Sequence, residues 1–413
     1  MEVPADMLPL NASCNMVDGK AEEEEDLFMR RISSTSAVYL KTTWDGRFRP
    51  WIILGVMIFD EAIHPDRMWQ LLVERLHRFD RFQCRVQVNS DGSFIFQQVR
   101  EIDRSYHLVE VNATGWTADH LNQYLSHVYS EDKDLTRPLW RVHVLNGMAG
   151  GRHGVLVNVD HALGDGASMV EVLLTLMDPS GPDAHPSNSP SWARKEKSAA
   201  KVVENNVTPA RRSLNGPGKK AATSSVWRKV VGAAGQACWI WGVLVWGAIE
   251  PIVLPFLPPD APSILKPLDV HPSKKKIIAR AETMSLDRVK AIKNQFPGAT
   301  VNDVLSATLA LALRKYYREA GDKVRSIRVT FSVNVRSPSE ELVTLGNRVC
   351  NDHLLFTFGN FSSRLATVWT VKRQIDRVKR SPKVLILFKM LRFVAYFLTN
   401  DQLVWLFHYM LSR

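Results

Sequence analysis

Between Val155 and Leu174 the chain reads VLVNVDHALGDGASMVEVLL, and no other stretch limits its possible folds as much. Val155, Val157 and Val159 alternate as in a strand. The run stops at Asp160-His161, and a glycine-containing turn precedes a second apolar run from Met169 to Leu174. The pattern is strand, turn, helix. It puts His161 at the end of a buried strand, where a rigid element can project the side chain into a cleft, while Gly164 and Gly166 permit a sharp turn. Asp165 follows four residues after His161, and a carboxylate there can either fix the loop or hold an imidazole tautomer. An imidazole has an ordinary pKa of about 6.5 and can take a proton at neutral pH. The bland alternative is a satisfied structural histidine beside an Asp-Gly turn.

At 413 residues the chain is long enough for two ordinary domains, and 45% hydrophobic with 23% charged residues predicts a sizeable core. The formal net charge of +11 favours anionic partners, such as nucleic acid, an anionic membrane face or a phosphate-rich substrate. Basic pairs such as Arg211-Arg212 and Lys219-Lys220 are not interleaved with stacking aromatics, which argues against nucleic acid. Cys14, Cys84, Cys238 and Cys350 show no zinc-type spacing, so neither a metal nor a disulfide is expected, and the thiols suit a reducing compartment. Glu22 to Glu25 stand where a secretory leader would be basic then apolar, so residues 1–32 read as a disordered tail and secretion is not expected.

Further along, WIILGVMIF from Trp51 reads as a strand, Asp66 to Arg78 as an amphipathic helix introduced by Pro65, and RFQCRVQV as a strand. Thr117 opens another helix carrying Leu121, Leu125 and Val128. Pro138-Leu139-Trp140 then leads into the alternating strand RVHVL, where Trp140 reads first as core packing. Residues 178–225 turn to Pro, Ser, Asn, Lys and Arg, a composition that cannot offset its ordering entropy, and are expected to form a mobile linker. Val230 to Ile249 is the one stretch of about 20 apolar residues that could span a bilayer; lying in the membrane plane is the alternative. In the remainder, Ala279 to Leu286 resembles a strand that begins a second half. Thr300 or Asn302 reads as the cap of an Ala/Leu-rich helix reaching about Tyr317, and Val329 to Val335 as another strand. Asn360 to Lys379 and Val384 to Leu411 read as helical.

These motifs carry a resemblance. The His161 segment resembles the His-x-x-x-Asp-Gly signature of CoA-dependent acyltransferases, and in particular His-His-x-x-x-Asp-Gly of the wax ester synthase/diacylglycerol acyltransferase family. Asp160 departs from that signature by replacing the first histidine, while the second is kept as His161. Pro138-Leu139-Trp140 resembles the family's Pro-Leu-Trp motif, about twenty residues ahead of the histidine. Asn302-Asp303 resembles its Asn-Asp motif, and Asn334-Val335-Arg336 and Gly346-Asn347-Arg348 are similar to its second-half pattern.

The resemblance implies an α/β fold of two halves, each a mixed β-sheet flanked by helices: a first half at 33–177, the linker at 178–225, a membrane-associated segment at 226–260 and a second half at 261–413. Family members continue with further strands, so the second half is expected to be incomplete. His161 is implied as general base and Asp165 as its catalytic companion. Asp160, Gly164, Gly166, Pro138, Leu139, Trp140, Asn302 and Asp303 are implied near the site. The implied reaction moves a long acyl chain from acyl-CoA, a substrate rather than a cofactor, to diacylglycerol or a long-chain alcohol. The expected location is the cytosolic face of the endoplasmic reticulum or another internal membrane, with the plasma membrane as alternative. The competing class is a catalytically impaired lipid- or membrane-binding homologue, which acyl transfer from CoA would separate from an enzyme.

Overall fold

The computed structural model describes residues 29–43, 51–90, 92–177, 261–267, 275–336, 345–358, 363–380 and 383–399, with isolated positions in 241–249 and 401–409. The 178–225 linker, the tail before residue 29 and nearly all of the apolar 226–260 segment lie outside the described residues.

The first half runs β1 (Met29–Arg31), α1 (Ser34–Lys41), β2 (Ile52–Phe59), α2 (Pro65–Leu76), a 3₁₀ turn (Asp80–Gln83), β3 (Cys84–Val88), β4 (Phe94–Gln98), α3 (Arg104–His107), β5 (Leu108–Asn112), α4 (Ala118–Ser130), β6 (Trp140–Met148), β7 (Arg152–Asp160) and α5 (Gly166–Leu176). The second half contains α6 (Leu286–Asn294), α7 (Val301–Glu319), β8 (Ser326–Asn334), β9 (Val349–Thr357), α8 (Arg364–Arg380) and α9 (Lys383–Phe397).

A four-stranded mixed sheet of order β2-β7-β6-β5 supports the site. Its centre is the β6–β7 hairpin, in which Val142, Val144, Val155 and Val159 are buried, and Gly150 and Gly151 turn the chain at positive φ. Only β5 pairs in parallel, with β6, and that arrangement needs the crossover that α4 supplies. On the other edge β2 runs antiparallel to β7, placing Ile52 opposite Asp160. The strand end and the residue before β2, Trp51, are therefore neighbours. A second sheet, β1-β4-β3, closes the main core through Phe82, Phe94 and Phe96, which pack with Leu72 and Leu76 of α2 and Met169 and Val172 of α5.

The β8–β9 pair of the second half packs with α7 and α8 around Tyr317, Phe356 and Ile375. One residue ahead of Gly346, Leu345 joins the core of the first half, so the segment leading to β9 is anchored across the molecule. Sheets flanked by helices agree with the α/β expectation, and among the described sheets β2-β7-β6-β5 is the mixed one.

The strand expected at Ala279 to Leu286 is absent. Residues 275–285 instead run extended along α4: Lys276 N donates to Ser130 Oγ at 2.9 Å, Ile278 N to Ser126 Oγ at 2.8 Å and Arg280 Nε to Asn122 Oδ1 at 2.8 Å. Side chains of one helix face satisfy the backbone N–H groups of Lys276 and Ile278, only Ile278 reaches a core, and residues 279–286 are exposed, so no sheet forms there. The helical region after Val384 is helix α9 as far as Phe397.

Candidate active site

β7 ends at Asp160, and two backbone bonds fix the exit. Asp160 N donates to Leu139 O at 2.9 Å, and His161 N donates to Trp51 O at 2.7 Å. The imidazole of His161 then meets a residue from the other half: its Nδ1 lies 3.0 Å from Asn347 Oδ1. Asn347 Nδ2 donates to His161 O at 2.8 Å and to Ser36 Oγ at 3.0 Å. A carbonyl oxygen can only accept, so the amide nitrogen must face it and Oδ1 must face the ring. Nδ1 therefore carries the proton, and the free lone pair is on Nε2. Burial pushes the His161 pKa below its ordinary value, opposed by the bond to Asn347 and the charge of Asp165 and assisted by Lys133.

Asp165 takes the loop-fixing role of the two open to it. It caps α5 by accepting from Ser168 N at 3.0 Å, accepts from Arg348 N at 2.8 Å, and pairs with Arg336 through Nη1 at 2.8 Å and Nη2 at 2.9 Å. Burial opposes its charge, but Arg336 and the two backbone N–H groups outweigh it and hold the carboxyl below the usual range. Arg336 Nη2 also donates to Gly346 O at 2.9 Å and to Ser168 Oγ at 2.8 Å, tying α5 to the segment that carries Asn347. The turn between His161 and Asp165 is tight. A Cβ on Gly164 would come within 2.9 Å of side-chain atoms of Ser168 and Met169, which accounts for glycine there.

Asp160 faces inward. Its carboxylate, which is buried, accepts from Ala162 N and pairs with the half-buried Lys133. Lys133 Nζ also reaches Trp51 O at 3.4 Å, the acceptor used by His161 N. Burial pushes the Lys133 ammonium well below the usual lysine range. Beside this pair lies a cavity of ≈ 40 Å³, lined in part by Ile52, Trp140 and Arg141, with room for water rather than an acyl chain.

Leu139 and Trp140 are buried, and Trp140 Nε1 donates to Phe82 O at 2.7 Å. The Pro138-Leu139-Trp140 segment thus acts as packing beneath the strand end, with Leu139 O as its direct tie to Asp160. Thr300 and Asp303 form a reciprocal cap on α7, Thr300 N donating to Asp303 Oδ2 at 2.7 Å. Asn302 is exposed, and the recorded hydrogen bonds of Asp303 run to Thr300 rather than to the His161 cluster. Gly166 opens α5 with open space beside it.

Four site members escaped residue-level reading: Ser36, Arg81, Lys133 and the role of Asn347. Buried Arg81 donates to Leu163 O at 3.0 Å and Ser36 Oγ at 3.3 Å, and so braces the turn after His161. A phenylalanine-flanked arginine, RFQ, gave no local signal of that reach.

A histidine at a strand end, clamped by an asparagine from the opposite half, is the arrangement that the comparisons with known proteins bear on. The catalytic-domain model of the wax ester synthase/diacylglycerol acyltransferases matches residues 50–305, and the chain belongs to that family, whose members are acyltransferases. Wax ester synthase/diacylglycerol acyltransferase 9 of Arabidopsis thaliana is 26% identical over 381 residues, 84% of this chain and 73% of the relative. The probable diacylglycerol O-acyltransferase tgs1 of Mycobacterium tuberculosis is 26% identical over 329 residues, 78% of this chain and 65% of the relative. Among solved structures, the first condensation domain of the calcium-dependent antibiotic synthetase superposes with a TM-score of 0.54 at 16% identity, over 86% of this chain and 74% of that one, a likeness of fold.

Proposed function

We propose that this chain transfers a long acyl group from a CoA thioester to the hydroxyl of diacylglycerol or of a long-chain alcohol, with His161 as general base. The observation that carries the reading is the Asn347 clamp, which commits Nδ1 of a part-buried histidine and leaves Nε2 as the basic atom. Nε2 takes the hydroxyl proton as the oxygen bonds to the thioester carbonyl carbon. The carbon–sulfur bond breaks, and the proton passes to the departing CoA sulfur. No covalent enzyme intermediate and no cofactor are required. General-base assistance contributes about 10²–10⁴-fold, and alignment of the two substrates away from water supplies the remainder. His161→Ala should therefore abolish transfer of a labelled acyl chain from CoA to either acceptor. Equal transfer above background by wild type and variant would leave the lipid-binding alternative as the better reading.

The family's acceptors and the basic chain, with net charge +11, also support action at a membrane surface, and we assign the cytosolic face of the endoplasmic reticulum or another internal membrane. Among the described residues no helix is long and apolar enough to cross a membrane. Attachment is proposed through 226–260, with α9 assisting: Phe393, Tyr396 and Phe397 of that helix are exposed, beside Lys389 and Arg392. Deletion of 230–259 should move the protein from the membrane pellet to the supernatant; unchanged pelleting would remove the segment from the assignment.

A further inference from the structure

Tyr39, in α1, lies flat on the imidazole of His161: the ring centroids are 4.1 Å apart and the planes are within 18° of each other. Trp51 backs the tyrosine edge-on at 6.2 Å and 72°, and is itself held by its Nε1 bond to Thr42 Oγ1 at 3.0 Å. One turn earlier in α1, Ser36 Oγ accepts from the Asn347 amide. A single short helix thus supports the histidine twice. Through Ser36 it supports the amide that fixes the ring's edge, and through Tyr39 it covers the ring's face.

We propose that Tyr39 is a positioning residue for the base, holding the His161 ring in plane and stabilising, through its π-face, the imidazolium that forms when Nε2 takes a proton. The inference rests on the acyl-transfer reading above for its role in the reaction. The charges around His161 show why a ring face matters. Asp165, on the turn, is matched by Arg336 from the second half, and Asp160, at the strand end, is matched by Lys133 from the α4–β6 connection. Each carboxylate has its own cation, and the group in hydrogen-bond contact with the imidazole, Asn347, is neutral. Among the described residues, a new positive charge at His161 therefore finds a favourable field in the negative face of the stacked phenol, inside the roughly 6 Å over which such rings attract cations. Burial, with the charge of Asp165 adding to it, pushes the Tyr39 phenol up to about 12, so this ring stays neutral throughout the working range.

The test replaces Tyr39 by phenylalanine and then by successively fluorinated phenylalanines, which keep the ring's shape while draining the charge from its face. The pKa of His161 is read from its imidazole proton by NMR in the unliganded full chain, and kcat/KM is followed against pH in parallel. Tyr39→Phe should match wild type in both readouts. Across the fluorinated series the imidazolium should lose roughly three- to tenfold in stability, seen as a stepwise fall of about 0.5–1 unit in the His161 pKa, with kcat falling alongside. A flat pKa across the series overturns the proposal. So does a Tyr39→Phe protein as impaired as the most fluorinated one, because the hydroxyl rather than the ring face would then be the working part. The pKa readout needs no substrate, so a wild-type protein without acyl transfer would sink the functional reading while this test still returned its own answer.

Discussion

At the scale of single residues, the site distributes its charge in matched pairs, Asp165 with Arg336 and Asp160 with Lys133, and the side chain hydrogen-bonded to His161 is the neutral Asn347. Asn347 decides which nitrogen is basic, so Asn347→Ala should lower kcat by about 10²-fold, with the fold intact by circular dichroism, because the ring can then rotate and exchange tautomers. The pH dependence follows from the same contacts. A base depressed by burial works when deprotonated, so activity is present above its pKa and lost as pH falls through it. The acid limb of kcat/KM should accordingly lie below about 6.5, the ordinary histidine value, in a rate profile measured with soluble acyl-CoA. Asp160 shows how a departure from the family's signature is accommodated. With the half-buried Lys133 paired to it, Asp160→His alone removes the lysine's counter-ion and should lower stability in denaturant unfolding. Adding Lys133→Met to Asp160→His should return much of that loss, and a double variant as unstable as the single one would show the pair is not the reason.

At the scale of elements, the β7–turn–α5 unit was legible because its signals are local: alternation of period two, two glycines, a capping aspartate, then a helical apolar run. The helices α2, α4 and α7 were legible for the same reason, each bounded by Pro65, Thr117 or Thr300. The clamp was not. Asn347 and Arg336 reach residues 186 and 171 positions away, and no spacing rule relates side chains that only the tertiary fold brings together. The strand expected at 279–286 rested on resemblance alone, and residues 279–286 are exposed with no neighbouring strand to pair with among the described residues. Elements also carry an acid-sensitive feature apart from the reaction. His107 of α3 and His143 of β6 are both buried, and burial pushes both down to about 4. In the unfolded chain they titrate near 6.5, so the unfolded state binds more protons between those values. The stability these neutral rings confer is full above about 6.5 and is lost as pH falls toward 4, by roughly 3 kcal/mol for each. Urea unfolding between pH 7.5 and 4.5 should show this slope, and a His107→Asn/His143→Asn protein should show much less of it.

At the scale of the whole molecule, the two halves meet through buried polar contacts that also build the site. Leu345 seats in the core of the first half, Asn347 reaches His161, and Arg336 forks onto Asp165, whose side chain is 1% exposed against 5% for the arginine. The contacts that join the halves are therefore also the contacts that orient His161. The Asp165–Arg336 pair tests this directly. Arg336→Met strips the cation from a buried carboxylate and removes the bonds to Gly346 O and Ser168 Oγ. A loss of about 3–5 kcal/mol is expected, with activity falling because the Asn347 segment loses its anchor. Asp165→Asn keeps an acceptor for Ser168 N, and so preserves the α5 cap, while unpairing the arginine. In the Asp165→Asn/Arg336→Met double variant no unpaired charge remains, so the combined destabilisation should be smaller than the sum of the single losses by about 2 kcal/mol or more in a double-mutant cycle. Activity should not recover with it, since neither substitution restores the fork that holds the segment ahead of Asn347. Strict additivity of the two stability losses would mean that the halves are joined by apolar packing such as that of Leu345, with the ion pair serving the turn alone.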